Sequence, residues 1–178
     1  MIRPAIFLDR DGVINEDIGF VHRAEDVVIL PGVISGLWAL QELGYALILV
    51  TNQSGIGRGY YSEEEFTRLN TWMLSLLEDE GIGIQAVYHC PHAPEDDCDC
   101  RKPKPGMILR AAREHQIDLA RSWMIGDKTS DIAAARNAGI HHRVLVRTGQ
   151  FQGAHAADAL VVNDMNELVG VLRRKAAS

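Results

Sequence analysis

Two aspartates separated by one residue, Asp9 and Asp11, come directly after the apolar run 4–8 and just before Gly12. Side chains two positions apart on an extended chain point the same way, so both carboxylates are expected to face one space. Crowded carboxylates repel one another and hold protons unless a cation lies among them. Oxygen ligands of this kind suit Mg²⁺, which keeps several waters and reaches substrate phosphates. The pair predicts a magnesium site, and the simpler alternative is that Asp9 only ends a strand or caps a turn.

Polar side chains also stand at the ends of three other apolar stretches. A lysine among them offers positive charge to phosphate oxygens, a threonine can donate a hydrogen bond, and a third aspartate is expected beside the first two. Metal and lysine would offset the charge of a transferring group while a carboxylate attacks it, so the set fits phosphoryl transfer. These residues are Thr51 and Asn52, Arg101 and Lys102, and Asp127 and Lys128.

A second group of possible metal ligands lies in the proline-rich stretch CPHAPEDDCDCRKPKPG. Three thiolates and one imidazole suit tetrahedral Zn²⁺, and four protein ligands leave no open position, so a structural rather than a catalytic zinc is predicted. A zinc clip would order the loop at about 90–105, which has no apolar run of its own, and would position Arg101 and Lys102. The alternative is three free or buried thiols. The predicted ligands are Cys90, His92, Cys98 and Cys100.

The segments that would position these residues alternate between strand and helix patterns, which predicts an α/β fold. Such alternation implies a mostly parallel sheet with helices on both faces, whose ligands bind beyond the carboxyl ends of the strands. Ser62 and Glu65 form a capping box, and Trp38, Trp72 and Trp123 are expected in the core. The predicted strands are 4–9, 45–51, 86–90, 122–127, 143–149 and 159–163. The predicted helices are 31–43, 62–80, 106–115, 131–138 and 165–175.

Composition and charge limit the class of protein. The chain has 178 residues, 47% of them apolar, and we expect residues 1–178 to form one domain with a substantial core. The net charge of −6 argues against a nucleic-acid scaffold. No apolar run has the length of a membrane span, no export signal is recognised, and the cysteines lie too close together to staple a secreted fold. A cytoplasmic protein is expected, and a monomer, because no exposed apolar stripe is apparent.

These motifs make the chain similar to the haloacid-dehalogenase (HAD) superfamily of aspartyl-phosphate phosphatases. The matching motifs are D-x-D-G at 9–12, the threonine that ends ILVT, the lysine of RKPKP, and GDKTSD at 126–131. The stretches FLDRDGVIN, VTNQSGIGRG and CDCRKPKPGM further resemble the heptose-bisphosphate phosphatases and, more loosely, the histidinol-phosphate phosphatases. One departure is the short spacing between His92 and Cys98, which is expected to shorten one wall of the site.

The resemblance implies a Rossmann-like HAD fold in which Asp9 is the nucleophile and Asp11 is the general acid that later activates water. Thr51 and Lys102 would steady the phosphoryl group. The implied magnesium ligands are Asp9, the backbone carbonyl of Asp11, and Asp127. Asp131 would orient Lys102 or a metal-bound water.

Short loops would select the substrate, because neither 9–51 nor 51–102 has room for a folded cap domain. One of them is the glycine-rich segment 54–59, which is expected to be a flexible loop on the substrate side. Arg101 or Arg58 would bind a second phosphate through its planar guanidinium, so we expect a small bisphosphorylated sugar. By the resemblance, this is a heptose 1,7-bisphosphate that loses its 7-phosphate on the way to nucleotide-activated heptose for lipopolysaccharide. The candidate substrate contacts are Arg10, Asp17, Ile18, Gly19, Phe20, Asn52, Gln53, Ser54, Arg58, Arg101 and Lys128.

Other functions stay open at this point. The same motifs would serve an enzyme that hydrolyses histidinol phosphate, or a general sugar-phosphate or nucleotide phosphatase, because they handle phosphate and not the rest of the substrate. A different class is a zinc-stabilised binding module without catalysis, in which Arg101, Lys102 and Lys104 contact nucleic acid. The acidic net charge and the acids at other strand ends argue against this class.

Overall fold

The computed structural model describes residues 2–151 and 158–176, and strands and helices alternate along them. The strands are β1 (Ala5–Leu8), β2 (Ala46–Asn52), β3 (Ile84–Cys90), β4 (Trp123–Gly126), β5 (His142–Val146) and β6 (Leu160–Val162). The helices are α1 (Val33–Glu42), α2 (Ser54–Gly57), α3 (Glu63–Asp79), α4 (Gly106–His115), α5 (Thr129–Ala138) and α6 (Met165–Ala176). Every predicted strand and helix is present, which confirms the α/β class.

The six strands form one parallel sheet in the order β3-β2-β1-β4-β5-β6. The first strand lies in the middle, where Phe7 pairs with Ile48 of β2 and with Met124 of β4. Because parallel strands end at the same edge, the residues that follow β1, β2 and β4 come out side by side. This order places the first acids of the chain between the threonine and the aspartate predicted to join them.

Alternate residues of the strands pack into two apolar layers, one on each face of the sheet. Ile6 and Leu8 pack in the layer that holds α1, α3 and α6, whereas Ala5 and Phe7 pack in the layer that holds α4 and α5. The central strands are therefore apolar at every position, as the sequence suggested for strands buried on both faces. The polar residues begin only where the strands end.

The helix ends follow the sequence signals closely. Ser62 accepts a hydrogen bond from the Glu65 backbone N–H, and the Glu65 side chain accepts one from the Ser62 N–H, so the predicted capping box is confirmed. α5 ends at Gly139, which has φ +88°, a left-handed conformation that glycine adopts without strain.

Two local predictions are wrong. The strand predicted at 143–149 ends at Val146, because the chain turns there so that the Thr148 hydroxyl can donate to the Gly12 carbonyl at 2.8 Å. The segment 54–59, predicted as a flexible loop, begins with the helical turn α2, since Arg58 N–H bonds to Ser54 O at 3.0 Å. Both departures lie at the carboxyl edge of the sheet.

The tryptophan prediction holds for one residue of three. Trp123 is buried, but Trp38 is 48% exposed and Trp72 is 38% exposed. In α1 the inward stripe is formed by Val33, Leu37 and Leu40, so Trp38 points away from it. No helix in the described part of the chain is long and apolar enough to cross a membrane.

Candidate active site

A cavity of about 470 Å³ is lined by residues that follow β1, β2 and β4. Thr51 and Asp127 are buried beside it, whereas Arg10, Ile18 and Arg58 are not part of its lining. Most of the predicted site residues are brought together here. Those that line the cavity are Asp9, Asp11, Asp17, Gly19, Phe20, Asn52, Gln53, Ser54, Arg101, Lys102 and Lys128.

Lys102 links the ends of neighbouring strands through its ammonium group. Its Nζ lies 3.2 Å from Asp9 Oδ1 and 2.6 Å from Asp131 Oδ1, and it donates to Val50 O at 2.7 Å. Burial opposes the charge of Lys102, but the two carboxylates outweigh it and raise its pKa, so the ammonium stays charged. Asn52 accepts from the Lys102 N–H at 3.0 Å and donates to its carbonyl at 3.1 Å. The Asn52 amide, predicted to contact substrate, thus holds the Lys102 backbone.

Asp127 has the features of a metal ligand. Its carboxylate lies within 4.8 Å of those of Asp9 and Asp131. Oδ2 accepts a hydrogen bond from Gln150 N–H at 2.7 Å, while the buried Oδ1 meets no donor among the residues described. Burial, and then the charges of Asp9 and Asp131, raise the pKa of Asp127 to about 7. A buried carboxylate oxygen without a donor, next to a second carboxylate, fits a divalent cation with oxygen ligands.

Asp9 shares this environment. Burial raises its pKa, the charge of Lys102 opposes the rise, and the charge of Asp131 adds to it. Its Oδ1 also accepts from the Arg10 backbone N–H at 2.8 Å. Asp9 is therefore held by one cation and one amide in a setting where a further cation would favour its ionised form.

Glycines make room for the Asp127 carboxylate. A Cβ atom on Gly12 or on Gly149 would overlap it, and Gly12 has φ +84°. The glycine of the D-x-D-G motif is thus required by the side chain of an aspartate more than a hundred positions away as well as by its own backbone conformation.

Asp131 supports the site from behind. Its Oδ2 accepts from the backbone N–H groups of Asp127 at 3.2 Å and Lys128 at 3.1 Å, at the start of α5. Its other oxygen faces Lys102. Oδ1 forms an ion pair with Lys102 and Oδ2 holds two backbone amides, so Asp131 is placed where it could orient Lys102, and this role stays a prediction.

Arg10 is not placed as a substrate contact. It is buried, and its guanidinium donates to Asp11 Oδ1 and Oδ2 at 2.9 and 3.0 Å and to Val21 O at 2.7 Å. Asn15 also donates to Asp11 Oδ1, at 3.0 Å. Side chains alternate along an extended segment, so the residue between two acids that face the cavity points into the protein. Arg10 therefore fixes Asp11 from inside.

The loop at 17–20 forms one wall of the cavity. Asp17 accepts from the Gly19 N–H at 3.1 Å, lies 3.4 Å from Lys128 Nζ, and accepts from Gln150 Nε2 at 2.9 Å. Phe20 has φ +52°, an uncommon conformation for a residue with a side chain. Ile18 is 61% exposed and points away from the cavity lining. The loop thus presents Asp17, Gly19 and Phe20 but not Ile18.

The four predicted zinc ligands meet in space. The Sγ atom of Cys90 lies 3.7 Å from that of Cys98 and 3.0 Å from that of Cys100, and His92 Nδ1 lies 3.3 Å from Cys100 Sγ. Sulfur ligands about 2.3 Å from one tetrahedral ion stand about 3.8 Å apart, as Cys90 and Cys98 do here, and the Cys100 thiol lies closer. Burial, and then the bond with Cys100, raise the pKa of the Cys90 thiol, which a bound cation would offset. The donor set fits Zn²⁺.

Comparison with known proteins shows which family the chain belongs to. The HAD-hydrolase-like family model matches residues 99–168. The chain is 48% identical to the D-glycero-β-D-manno-heptose-1,7-bisphosphate 7-phosphatase of Photorhabdus laumondii, over 93% of both chains. It is 49% identical to the enzyme of that name from Haemophilus ducreyi, over 95% of this chain and 98% of the relative. The chain belongs to this family of HAD-like phosphatases.

A solved structure of the same family shares the fold. The D,D-heptose 1,7-bisphosphate phosphatase from B. bronchiseptica, complexed with magnesium and phosphate, superposes with a TM-score of 0.89 at 34% identity. The match covers 98% of this chain and 99% of that one. The predicted HAD fold is confirmed. As expected, neither 9–51 nor 51–102 contains a separate folded cap domain.

Sequence reasoning missed several residues that line the cavity of this HAD-like phosphatase. Gln150 follows β5 at the same edge as the predicted residues, so the strand-end rule could have found it. Tyr61 lies just before α3, and no spacing in the sequence points to it. The unpredicted lining residues are Tyr61, Pro103, Ser130 and Gln150.

Proposed function

We propose that the chain hydrolyses phosphate monoesters through a phospho-Asp9 intermediate with Mg²⁺, and that it removes the 7-phosphate of D-glycero-D-manno-heptose 1,7-bisphosphate. The observation that carries the proposal is that Asp9, which lines the cavity, pairs with Lys102 and lies close to Asp127, whose Oδ1 meets no donor among the described residues. The product would supply nucleotide-activated heptose for lipopolysaccharide. The names and high identity of the relatives support this substrate.

In the first step Asp9 attacks phosphorus and the bond between phosphorus and the ester oxygen breaks. Asp11 gives its proton to that oxygen, which leaves as an alcohol. In the second step Asp11 takes a proton from water as the water attacks phospho-Asp9, and phosphate leaves with Asp9 restored. Thr51 and Lys102 donate to the phosphoryl oxygens throughout.

We assign the metal to Asp9, Asp127 and the Asp11 backbone carbonyl. Bound Mg²⁺ would offset the negative charge that the phosphoryl oxygens carry. Asp131 is left out of this set because its Oδ1 forms the closer ion pair with Lys102, at 2.6 Å against 3.2 Å for Asp9, and its Oδ2 already accepts from two backbone amides. The Cys90, His92, Cys98 and Cys100 cluster would hold a structural Zn²⁺, since four protein ligands close the coordination sphere.

Zinc-bound and free thiols persist in a reducing compartment, so we infer that the protein works in the cytoplasm. The carboxyl-edge cavity is sized for one small molecule rather than a macromolecule. We expect a small phosphorylated sugar as the only partner that the reaction requires, and a monomer as the working form.

The second phosphate of the substrate would meet the cations at the cavity rim. Arg101 and Lys128 both line the cavity, and Arg58 does not. Arg101 follows the last ligand of the Cys/His cluster, and its Nη1 donates to His92 O at 3.4 Å, so the cluster would set its position. We therefore assign Arg101, and not Arg58, to this phosphate.

Steady-state kinetics test the substrate. We expect kcat/KM to be far higher for heptose 1,7-bisphosphate than for histidinol phosphate. Arg101→Ala should lower kcat/KM for the bisphosphate about 30-fold and for p-nitrophenyl phosphate less than about threefold. Only the bisphosphate has a second phosphate group whose contact with Arg101 is lost. Arg113→Ala, on the exposed face of α4, is the matched control. Equal losses for both substrates would remove Arg101 from this role, and a preference for histidinol phosphate would overturn the heptose assignment.

A further inference from the structure

Gln53 uses its whole side-chain amide inside the protein. It is 2% exposed. Its Nε2 donates to Asp11 Oδ2 at 3.2 Å and to Thr51 Oγ1 at 2.9 Å, and its Oε1 accepts from the Tyr61 hydroxyl at 2.5 Å. One buried amide therefore joins the proposed acid and base to the residue proposed to hold the phosphoryl group.

The orientation of this amide matters to both partners. With Nε2 toward the cavity, its two N–H groups meet a carboxylate and a hydroxyl oxygen, which leaves the Thr51 hydrogen free to donate to phosphate. If the amide turned over, Oε1 would face the Asp11 carboxylate and would compete for the Thr51 hydrogen. The Tyr61 hydroxyl favours the first orientation, because there it donates to Oε1, whereas the turned amide would take this acceptor away from its hydrogen. Burial raises the pKa of Tyr61 to about 12, so the hydroxyl remains a donor.

Tyr61 is itself held by two contacts. Its ring stacks on His22, with centroids 4.9 Å apart and an angle of 4° between the planes. The ring also packs against Gly55, where a Cβ atom would overlap it. The glycine after Ser54 therefore admits the Tyr61 ring to the site.

We propose that Gln53 is a positioning residue that holds the Asp11 carboxylate for proton transfer, with Tyr61 fixing the direction of its amide. The inference rests on the proposed function, since it needs Asp11 to act as acid and base. Arg10 and Asn15 hold Asp11, and Gln53, which directly follows β2, holds it as well, so three side chains fix the carboxylate. A carboxylate displaced by about 1 Å would transfer its proton poorly.

Leaving groups of different basicity separate this role from a merely structural one. An alkoxide such as that of the heptose needs a proton as it departs, whereas p-nitrophenolate leaves without one. kcat/KM covers the steps up to departure of the leaving group, so it reports how Asp11 acts as an acid. Damage to Asp11 positioning lowers kcat/KM for the sugar phosphate more than for p-nitrophenyl phosphate. Damage to folding or to Thr51 lowers both by one factor.

The experiment measures kcat/KM of the Mg²⁺-loaded enzyme for heptose 1,7-bisphosphate and p-nitrophenyl phosphate. Gln53→Glu keeps the shape of the side chain but turns a donor into an acceptor. We expect about a 30-fold loss for the heptose, at least tenfold more than for p-nitrophenyl phosphate, within the roughly 10²–10⁴-fold that acid catalysis contributes. In Tyr61→Phe, the loss of kcat/KM for the heptose should exceed the loss for p-nitrophenyl phosphate by about threefold. Tyr60→Phe is the matched control, because the adjacent Tyr60 is 57% exposed.

Equal losses for the two substrates in Gln53→Glu, or no loss at all, would overturn the proposal. If Gln53→Glu does not fold, Tyr61→Phe decides, and a ratio of the two losses equal to that of Tyr60→Phe would overturn it. A wild-type protein that hydrolyses neither substrate with Mg²⁺ would instead refute the proposed function. The two failures are therefore distinguishable.

Discussion

The carboxylate cluster and the Cys/His cluster are two candidate metal sites built in opposite ways. Asp9 and Asp127 lie far apart in sequence and are brought together by adjacent strands of a buried sheet. The thiol and imidazole ligands all lie within residues 90–100, where Cys90 ends β3 and the other three lie in the loop that follows it. One site depends on the fold for its geometry, whereas a metal in the other would supply order to a loop, 91–105, that has no helix or strand of its own.

The two sites also differ in how their ligands are satisfied. Asp127 leaves one buried oxygen without a donor in the described protein, as a site that keeps positions open for water and substrate requires. The four ligand atoms of the Cys/His cluster face one another. The comparison teaches that loss of the first metal should stop chemistry with the fold intact, and loss of the second should disturb the loop that carries Arg101 and Lys102.

The largest effect is expected from Asp9→Asn. An amide is a poor nucleophile, so kcat for heptose 1,7-bisphosphate should fall by at least about 10⁴-fold. The fold should persist, because the change removes one of several crowded buried carboxylates. Circular dichroism and a thermal melt provide the control, and residual turnover near that of the wild type would show that another group attacks phosphorus.

Lys102→Met should have the next largest effect. It removes the cation between Asp9 and Asp131, leaving two buried carboxylates without their partner. Turnover should fall about 10³-fold, and the free energy of unfolding should drop by about 3 kcal/mol. Chemical denaturation measures the second quantity, and Lys104→Met, on the exposed side of the same loop, is the matched control. A variant as stable as the wild type would show that the buried pairs contribute little.

Cys98→Ser should have a smaller effect on activity and should separate the two sites. We expect zinc content to fall from one ion per chain toward zero and kcat/KM for the bisphosphate to fall about tenfold, in the range seen when groups supporting a site are lost. The catalytic Mg²⁺ requirement should be unchanged, which a titration with magnesium would show. Elemental analysis of active protein that contains no zinc would contradict the structural role.

The smallest effect concerns pH and magnesium. In the metal-free protein the pKa of Asp127 is raised to about 7, above its unfolded value of 3.8, so the stability that comes from holding its proton is lost as pH rises through about 7. Mg²⁺ needs the ionised carboxylate, so its stabilising effect should grow over the same window, to about 1–2 kcal/mol near pH 8. Melting curves with and without Mg²⁺ at about pH 5 and pH 8 measure the difference. An equal shift in Tm at both values would contradict it.

Much of the fold and of the candidate site could be predicted from the sequence because both follow from the ends of buried strands. Asp9, Lys102 and Asp127 were found by asking which polar residues follow apolar runs, and the parallel sheet brings them together. The short spacing within the loop made the Cys/His cluster visible for a different reason, since its ligands are neighbours along the chain.

The rest depends on contacts that spacing does not encode. Arg10 lies between two acids in sequence, yet the alternation of the strand turns it inward. Asn52 faces the cavity, but its amide binds the Lys102 backbone. Gln53 and Tyr61 meet only because α2 turns the chain between them. The role of each of these side chains is set by a neighbour that is far away in the sequence or that a local turn brings close.

The central claim is that a phosphoryl group passes through Asp9. Asp11→Asn lacks the base for the second step but can still accept a phosphoryl group from p-nitrophenyl phosphate, whose leaving group needs no proton. Acid-quenched Asp11→Asn, incubated with Mg²⁺ and p-nitrophenyl phosphate and mapped by peptide mass spectrometry, should carry one phosphoryl group on the peptide that contains Asp9. A phosphoryl group on another residue, or none on a variant that has released p-nitrophenol, would contradict the account.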